Sequence, residues 1–146
     1  MSYRKLGVDN KHRRSMLANL TKDLIMNESI TTTETRAKEV RKSFDKMVTY
    51  AKEGSLISRR KILAFLQNDN VATKKIYDLA ERSKDRKGGY TRILKLNERR
   101  GDDALMVVLT LVDQKEEVKE EKTSKKETKK AKKEADILEK LEREGK

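Results

Sequence analysis

Residues 88–112 read GGYTRILKLNERRGDDALMVVLTLV, and this stretch decides the fold. Tyr90 to Arg99 and Ala104 to Val112 are two strand-like runs, rich in β-branched and long apolar side chains. Arg100, Gly101, Asp102 and Asp103 lie between them and are the residue types of a hairpin connection. The second run, ALMVVLTLV, is nearly all apolar, which places it at the centre of a sheet with helices over at least one face. Because a lone hairpin is marginal in water, a third strand and a helical cover are required.

Working back along the chain supplies both. Ser29 to Thr33, SITTT, is a β-branched run, stiff at χ1 and suited to a short strand that joins the later pair. Before it, Met16, Leu17, Leu20, Leu24 and Ile25 repeat at helical spacing over about Lys11 to Met26, with Asp9 or Asn10 as cap. After it, Ala37, Val40, Phe44, Met47, Val48 and Ala51 mark a helix that Thr33 can cap and Gly54 can close. Ser55 caps a further helix with Leu56, Leu63 and Leu66 on its apolar stripe. Asn70 caps one more, with Val71, Ile76, Leu79 and Ala80 as its buried side, and Ser83 to Gly89 is a basic loop. The predicted class is α+β: helix, short strand, three helices and an antiparallel hairpin, forming a small three-stranded mixed sheet covered by helices.

Charge divides the chain differently. There are 37 basic and 25 acidic side chains in 146 residues, a formal net charge of +12. Residues 115–146 carry 12 basic and 10 acidic side chains and few apolar ones, which marks a charged low-complexity tail, disordered or partly helical, after a domain over 1–114. The domain keeps a net +10, and two segments hold all of it. Residues 1–14, read as a basic extended arm, contain Arg4, Lys5, Lys11, Arg13 and Arg14 against Asp9. Residues 82–100 contain Arg82, Lys84, Arg86, Lys87, Arg92, Lys95, Arg99 and Arg100 against Asp85 and Glu98. Such concentrated positive charge calls for a polyanion, and phosphate is the natural ligand.

Most other chemistry is missing from the sequence. Cysteine is absent, so disulfides, thiolate catalysis and Cys-based metal sites are excluded. His12, the only histidine, sits beside Arg13 and Arg14 and reads as a group facing RNA or solvent. No apolar run approaches the roughly 20 residues of a membrane span, and MSYRKLGVDNKHRR lacks the apolar stretch of a signal peptide. A soluble, unexported protein is expected, with no cofactor, metal, membrane or small-molecule substrate. Aromatics make 4% of the chain, too few for a base-stacking platform, although Tyr3 and Tyr90 lie next to Arg4 and near Arg92. Arginine is favoured where bidentate contact with phosphate matters.

Several segments resemble a known family. RKLG at 4–7, HRRSMLANL at 12–20, ESITTTETRAKEVR at 28–41, the pair Arg59-Arg60, GGYTRILKL at 88–96 and RRGDDAL at 99–105 are similar, in order, to the bacterial large-subunit ribosomal protein seventeen family. The similarity covers about residues 2–113. It implies a cytoplasmic, non-enzymatic protein of the ribosome that binds large-subunit rRNA, supports translation and touches neighbouring proteins near the exit-tunnel side. The resemblance implies one basic motif on Arg4, Lys5, Gly7, His12 and Arg13. It implies a second on Gly88, Gly89, Tyr90, Thr91, Arg92, Lys95 and Arg99. With the charge reading, the expected RNA-binding set adds Lys11, Arg14, Arg59, Arg60, Lys84, Arg86, Lys87 and Arg100.

Two other classes fit parts of the sequence. A free nucleic-acid binder, such as a nucleoid protein or RNA chaperone, shares the charge pattern. An RNA-processing enzyme would use Asp102 and Asp103 as metal ligands, although beside Gly101 that pair fits a tight turn better.

Overall fold

The computed structural model describes residues 4–113, so the expected tail over 115–146 lies outside the described residues. The elements run α1 (Asn10–Asn27), β1 (Ser29–Thr33), α2 (Glu34–Glu53), α3 (Leu56–Phe65), α4 (Asn70–Arg82), β2 (Thr91–Glu98) and β3 (Leu105–Leu111). This is the α+β arrangement that the apolar periodicity predicts.

The apolar β3 is the central strand, in the order β1-β3-β2. The sheet is antiparallel throughout, which corrects the expected mixed pairing. The hairpin reverses β2 into β3, so β1 and β2 point the same way. A β1 docked on the outer edge of β2 would have given a parallel pair. It docks instead on the free edge of β3, with Ile30 opposite Leu109 and Thr32 opposite Val107.

Helices cover one face of the sheet. Val107, Leu109 and Leu111 point into that cover and are buried, while Met106, Val108 and Thr110 face the other way and keep part of their surface. The organising element is α2, which packs on α1, α3, α4 and all three strands. Its Val40, Phe44, Met47 and Val48 meet Leu24 and Ile25 of α1, Ile62 of α3 and Ile76 and Leu79 of α4 in one core. Fully burying each such side chain contributes about 1.5 to 3 kcal/mol.

The helix ends depart from expectation in instructive ways. Asp9 and Ser55 cap α1 and α3 as expected, by accepting from Lys11 N and Ile57 N. Thr33 makes no side-chain cap bond, because it is also the last paired residue of β1. Asp69 rather than Asn70 caps α4, accepting from the amides of Val71 and Ala72. Leu56 and Val71 occupy first-turn positions and are exposed, so Ile62 and Ala72 take the buried places expected of them. Gly54 ends α2 in the left-handed region that its missing Cβ permits, at φ 64°.

Candidate nucleic-acid interface

From Arg4 to Asp9 the amino-terminal basic segment is non-helical, with a turn at Leu6-Gly7 where both residues have positive φ. From Asn10 it is helical, so Lys11, His12, Arg13 and Arg14 lie on the first turns of α1, which corrects an extended arm over 1–14. Cations there oppose the helix dipole, each at a cost of a few tenths of a kcal/mol, and no acidic side chain occupies that first turn. Helix stability therefore does not explain them, whereas a phosphate at the same end would reverse the sign of the interaction.

Arg13 is the exception in that cluster. Its Nη2 donates to the buried carboxylate of Glu39 on α2 at 3.0 Å, and its Nε donates to the Arg4 carbonyl at 2.8 Å. Lys42 reaches the same carboxylate at 2.7 Å. Burial pushes the Glu39 carboxyl up, but the Lys42 hydrogen bond, the Arg4 amide and the two cations outweigh it, so it lies below its ordinary value. Arg4, Lys5, Lys11, His12 and Arg14 are exposed.

The second basic segment begins with Arg82, whose Nη2 donates to Glu28 at 2.8 Å. The loop after it is fastened from below. Lys52, in the last turn of α2, donates to the Ser83 and Arg86 carbonyls at 2.5 Å each, and its Nζ lies 4.6 Å from the centre of the Tyr90 ring. Tyr90 is buried, and its hydroxyl donates to the Arg86 carbonyl at 3.2 Å. Its ring closes the core beneath the loop, which leaves little of it to face RNA. Arg86 pairs with Asp113. Lys84 and Lys87 are exposed and make no side-chain hydrogen bond or ion pair among the described residues.

The hairpin carries the remaining cations. Arg92 stands opposite Thr110 on the open face of the sheet, next to the exposed Leu94 and Leu96. Lys95 stands opposite the buried Val107, yet on the outer strand of the sheet it stays exposed. At the tip, Arg99 forks onto Asp102, whose oxygen also accepts from Ala104 N. The Arg99 hydrogen bond is the main reason that the Asp102 carboxyl falls to about 2. This accounts for Asp102 as a turn residue. Among the described residues, no group of three or more metal-ligating side chains is brought together.

The two basic segments meet at the amino-terminal end of α2. Arg4, Arg36 and Arg99 line one cleft with Thr33, Glu34 and Thr35. Lys38 bonds Glu34 and lowers its carboxyl, and the charges of Lys95 and Arg4 act in the same direction, so both segments reach this spot. Arg36 was not among the sequence candidates, since it lies outside the two segments that account for the net charge; its place in the first turn, after a strand that ends beside the hairpin, is the signal that finds it. Arg59 lines a separate cavity with Gly54, Asn70, Thr73, Lys74 and Tyr77, on the helical layer, and Arg60 is exposed on the same helix.

Comparison with known proteins gives a consistent result. The family model described as Ribosomal protein L17 matches residues 16–112. The large ribosomal subunit protein bL17 of Ligilactobacillus salivarius is 57% identical and aligns with 77% of this chain and 100% of its own. Those of Lactobacillus helveticus and Desulforudis audaxviator are each 54% identical with the same coverage. A family match over most of the chain, together with relatives matched along their whole length, shows that this chain belongs to the ribosomal protein L17 family.

Proposed function

We propose that the chain is a structural, non-catalytic constituent of the large ribosomal subunit, working in the cytoplasm, that holds large-subunit rRNA through its two basic segments. The observation that carries this is their convergence: the arm and the hairpin tip share the cleft of Arg4, Arg36 and Arg99, and Lys84 and Lys87 stand at the other end of β2. Arg92 and Lys95 lie along the strand between, so one edge of the molecule carries cations from end to end. The spacing suits a run of phosphates more than a single base edge. Lys5, Lys11, His12, Arg14 and Arg100 are the other exposed basic side chains of the two segments offered to phosphate, and Arg59 and Arg60 form a smaller contact on α3. Neighbouring ribosomal proteins on the exit-tunnel side are further partners, identifiable by crosslinking on purified subunits.

The test uses the full chain and deproteinised large-subunit rRNA. If about 6 to 10 side chains touch phosphate, binding weakens roughly 10³ to 10⁵ fold between 50 and 200 mM salt. The triple change Lys84→Glu, Lys87→Glu, Arg92→Glu blocks incorporation into high-salt-washed large subunits while the far-ultraviolet circular dichroism stays as in the wild type. Wild-type incorporation of that variant defeats the reading. A chain that binds RNA yet is missing from washed subunits is instead a free nucleic-acid binder.

A further inference from the structure

Glu39 is the one buried carboxylate among the described residues, and its side chain has no solvent exposure. An enclosed carboxylate persists only when cations and donors surround it, and here Arg13 and Lys42 do so at 3.0 and 2.7 Å. Arg13 is bifunctional in this arrangement. One nitrogen is held by the acid of α2, and another holds the main chain of the arm at Arg4, nine residues upstream.

Packing alone does not secure the arm. Arg4, Lys5, Gly7 and Asp9 are exposed, and Leu6 and Val8 are only half-buried. Segments with so little buried apolar area open readily. The tie that runs from Glu39 through Arg13 to Arg4 is therefore the main restraint on where the arm lies.

We propose that Glu39 is a positioning residue for RNA binding: by holding Arg13 it sets the arm against α2, so that Arg4 stands beside Arg36 and Arg99, with the exposed Lys5 next to it in the chain, before RNA arrives. An arm ordered in advance loses less conformational freedom on binding, which raises affinity without adding a contact. The inference rests on the reading that the arm touches rRNA, and the experiment separates the two.

Charge alone predicts the opposite sign. Removing an acid makes the protein more positive, so Glu39→Gln should tighten binding to a polyanion if Glu39 only contributed charge. With a positioning role, Glu39→Gln weakens binding to deproteinised large-subunit rRNA by about tenfold, and the salt dependence becomes shallower by about 1 to 2 in log–log slope as the arm contacts are lost. Hydrogen exchange at the Arg4, Lys5 and Leu6 amides speeds up in the free variant. In the Arg4→Ala, Lys5→Ala background, Glu39→Gln costs nothing further.

Unchanged or tighter binding by Glu39→Gln, with the Arg4→Ala, Lys5→Ala chain clearly weakened, overturns the inference and leaves the rRNA reading standing. If Arg4→Ala, Lys5→Ala itself binds like the wild type, the arm does not touch rRNA and both fall. Should Glu39→Gln fail to fold, Glu39→Asp keeps the charge and withdraws the carboxylate by one methylene. Faster exchange in the arm with weaker binding then supports the positioning role, and wild-type exchange and binding refute it.

Discussion

Arg86 closes on Asp113 through two hydrogen bonds, from Nε at 3.2 Å and from Nη2 at 3.0 Å. The pair ties the basic loop after α4 to the end of β3, and the Arg86 hydrogen bond is the main reason that the Asp113 carboxyl lies below its usual range. A residue that charge counting assigns to RNA is thus already engaged within the fold.

That engagement separates Arg86 from its neighbours. Arg86→Met should lower stability by no more than about 1 kcal/mol, because the pair is partly exposed. It should also leave rRNA affinity within about twofold. Lys84→Glu with Lys87→Glu should do the reverse, leaving the urea midpoint unchanged and cutting affinity more than tenfold. Filter binding and urea titration on the same preparations decide it, and equal affinity losses for both variants would contradict the division.

The core predicts its own weak point. Phe44 is 1% exposed at the middle of α2, where the helices and sheet meet. Phe44→Ala should cost about 3 to 5 kcal/mol, a fall in melting temperature of at least roughly 12 °C for a domain of this size. A calorimetric shift of only a few degrees would mean that the neighbours collapse into the space.

Glu28 ends α1 at φ 59°, a left-handed conformation that glycine adopts without penalty, while its carboxylate holds Arg82. Glu28→Ala loses the ion pair and keeps the strain; Glu28→Gly loses the pair and relieves it. The glycine variant should therefore be the more stable of the two by about 1 kcal/mol in denaturant titration. The reverse order would show that the strain is absent in solution.

Acid should unfold the domain in a graded way. The carboxyls of Glu39, Asp69, Asp102 and Asp113 all lie below their ordinary values, so each contributes stability that is complete above about pH 5 and is lost as pH falls through the lowered folded value. Asp45 has the opposite sign. Burial raises its carboxyl, against a hydrogen bond from the Tyr90 amide and the charge of Arg41, so its protonation favours the folded state. Urea midpoints by circular dichroism should decline from pH 5 to pH 2, less steeply in Asp113→Asn. An unchanged slope in that variant would exclude Asp113 as a contributor.

Much of this was legible in the chain, for a physical reason. ALMVVLTLV has no polar face to turn outward, so it had to be central, and the stripes of α2 and α4 fix which sides are buried. Direction of pairing was not legible, because SITTT fits either free edge by composition. The site divides similarly. Net charge finds the two cationic segments but carries no record of internal partners, and those of Arg13 and Arg86 lie 26 and 27 residues away. Tyr90 shows the same limit: basic neighbours in sequence say nothing of a ring buried against the core with Lys52 beside it.

The central position of β3 also governs when the protein can finish folding. It is the last described strand to be made, and neither β1 nor β2 pairs with any other strand. During synthesis the first 104 residues can gather their helices but own no sheet. At about 5 to 20 residues per second, β1 waits several seconds after it is made before a neighbour exists. The nascent chain therefore carries two unsatisfied β-segments until its final described strand clears the ribosome, and only then does one insertion zip both sides together.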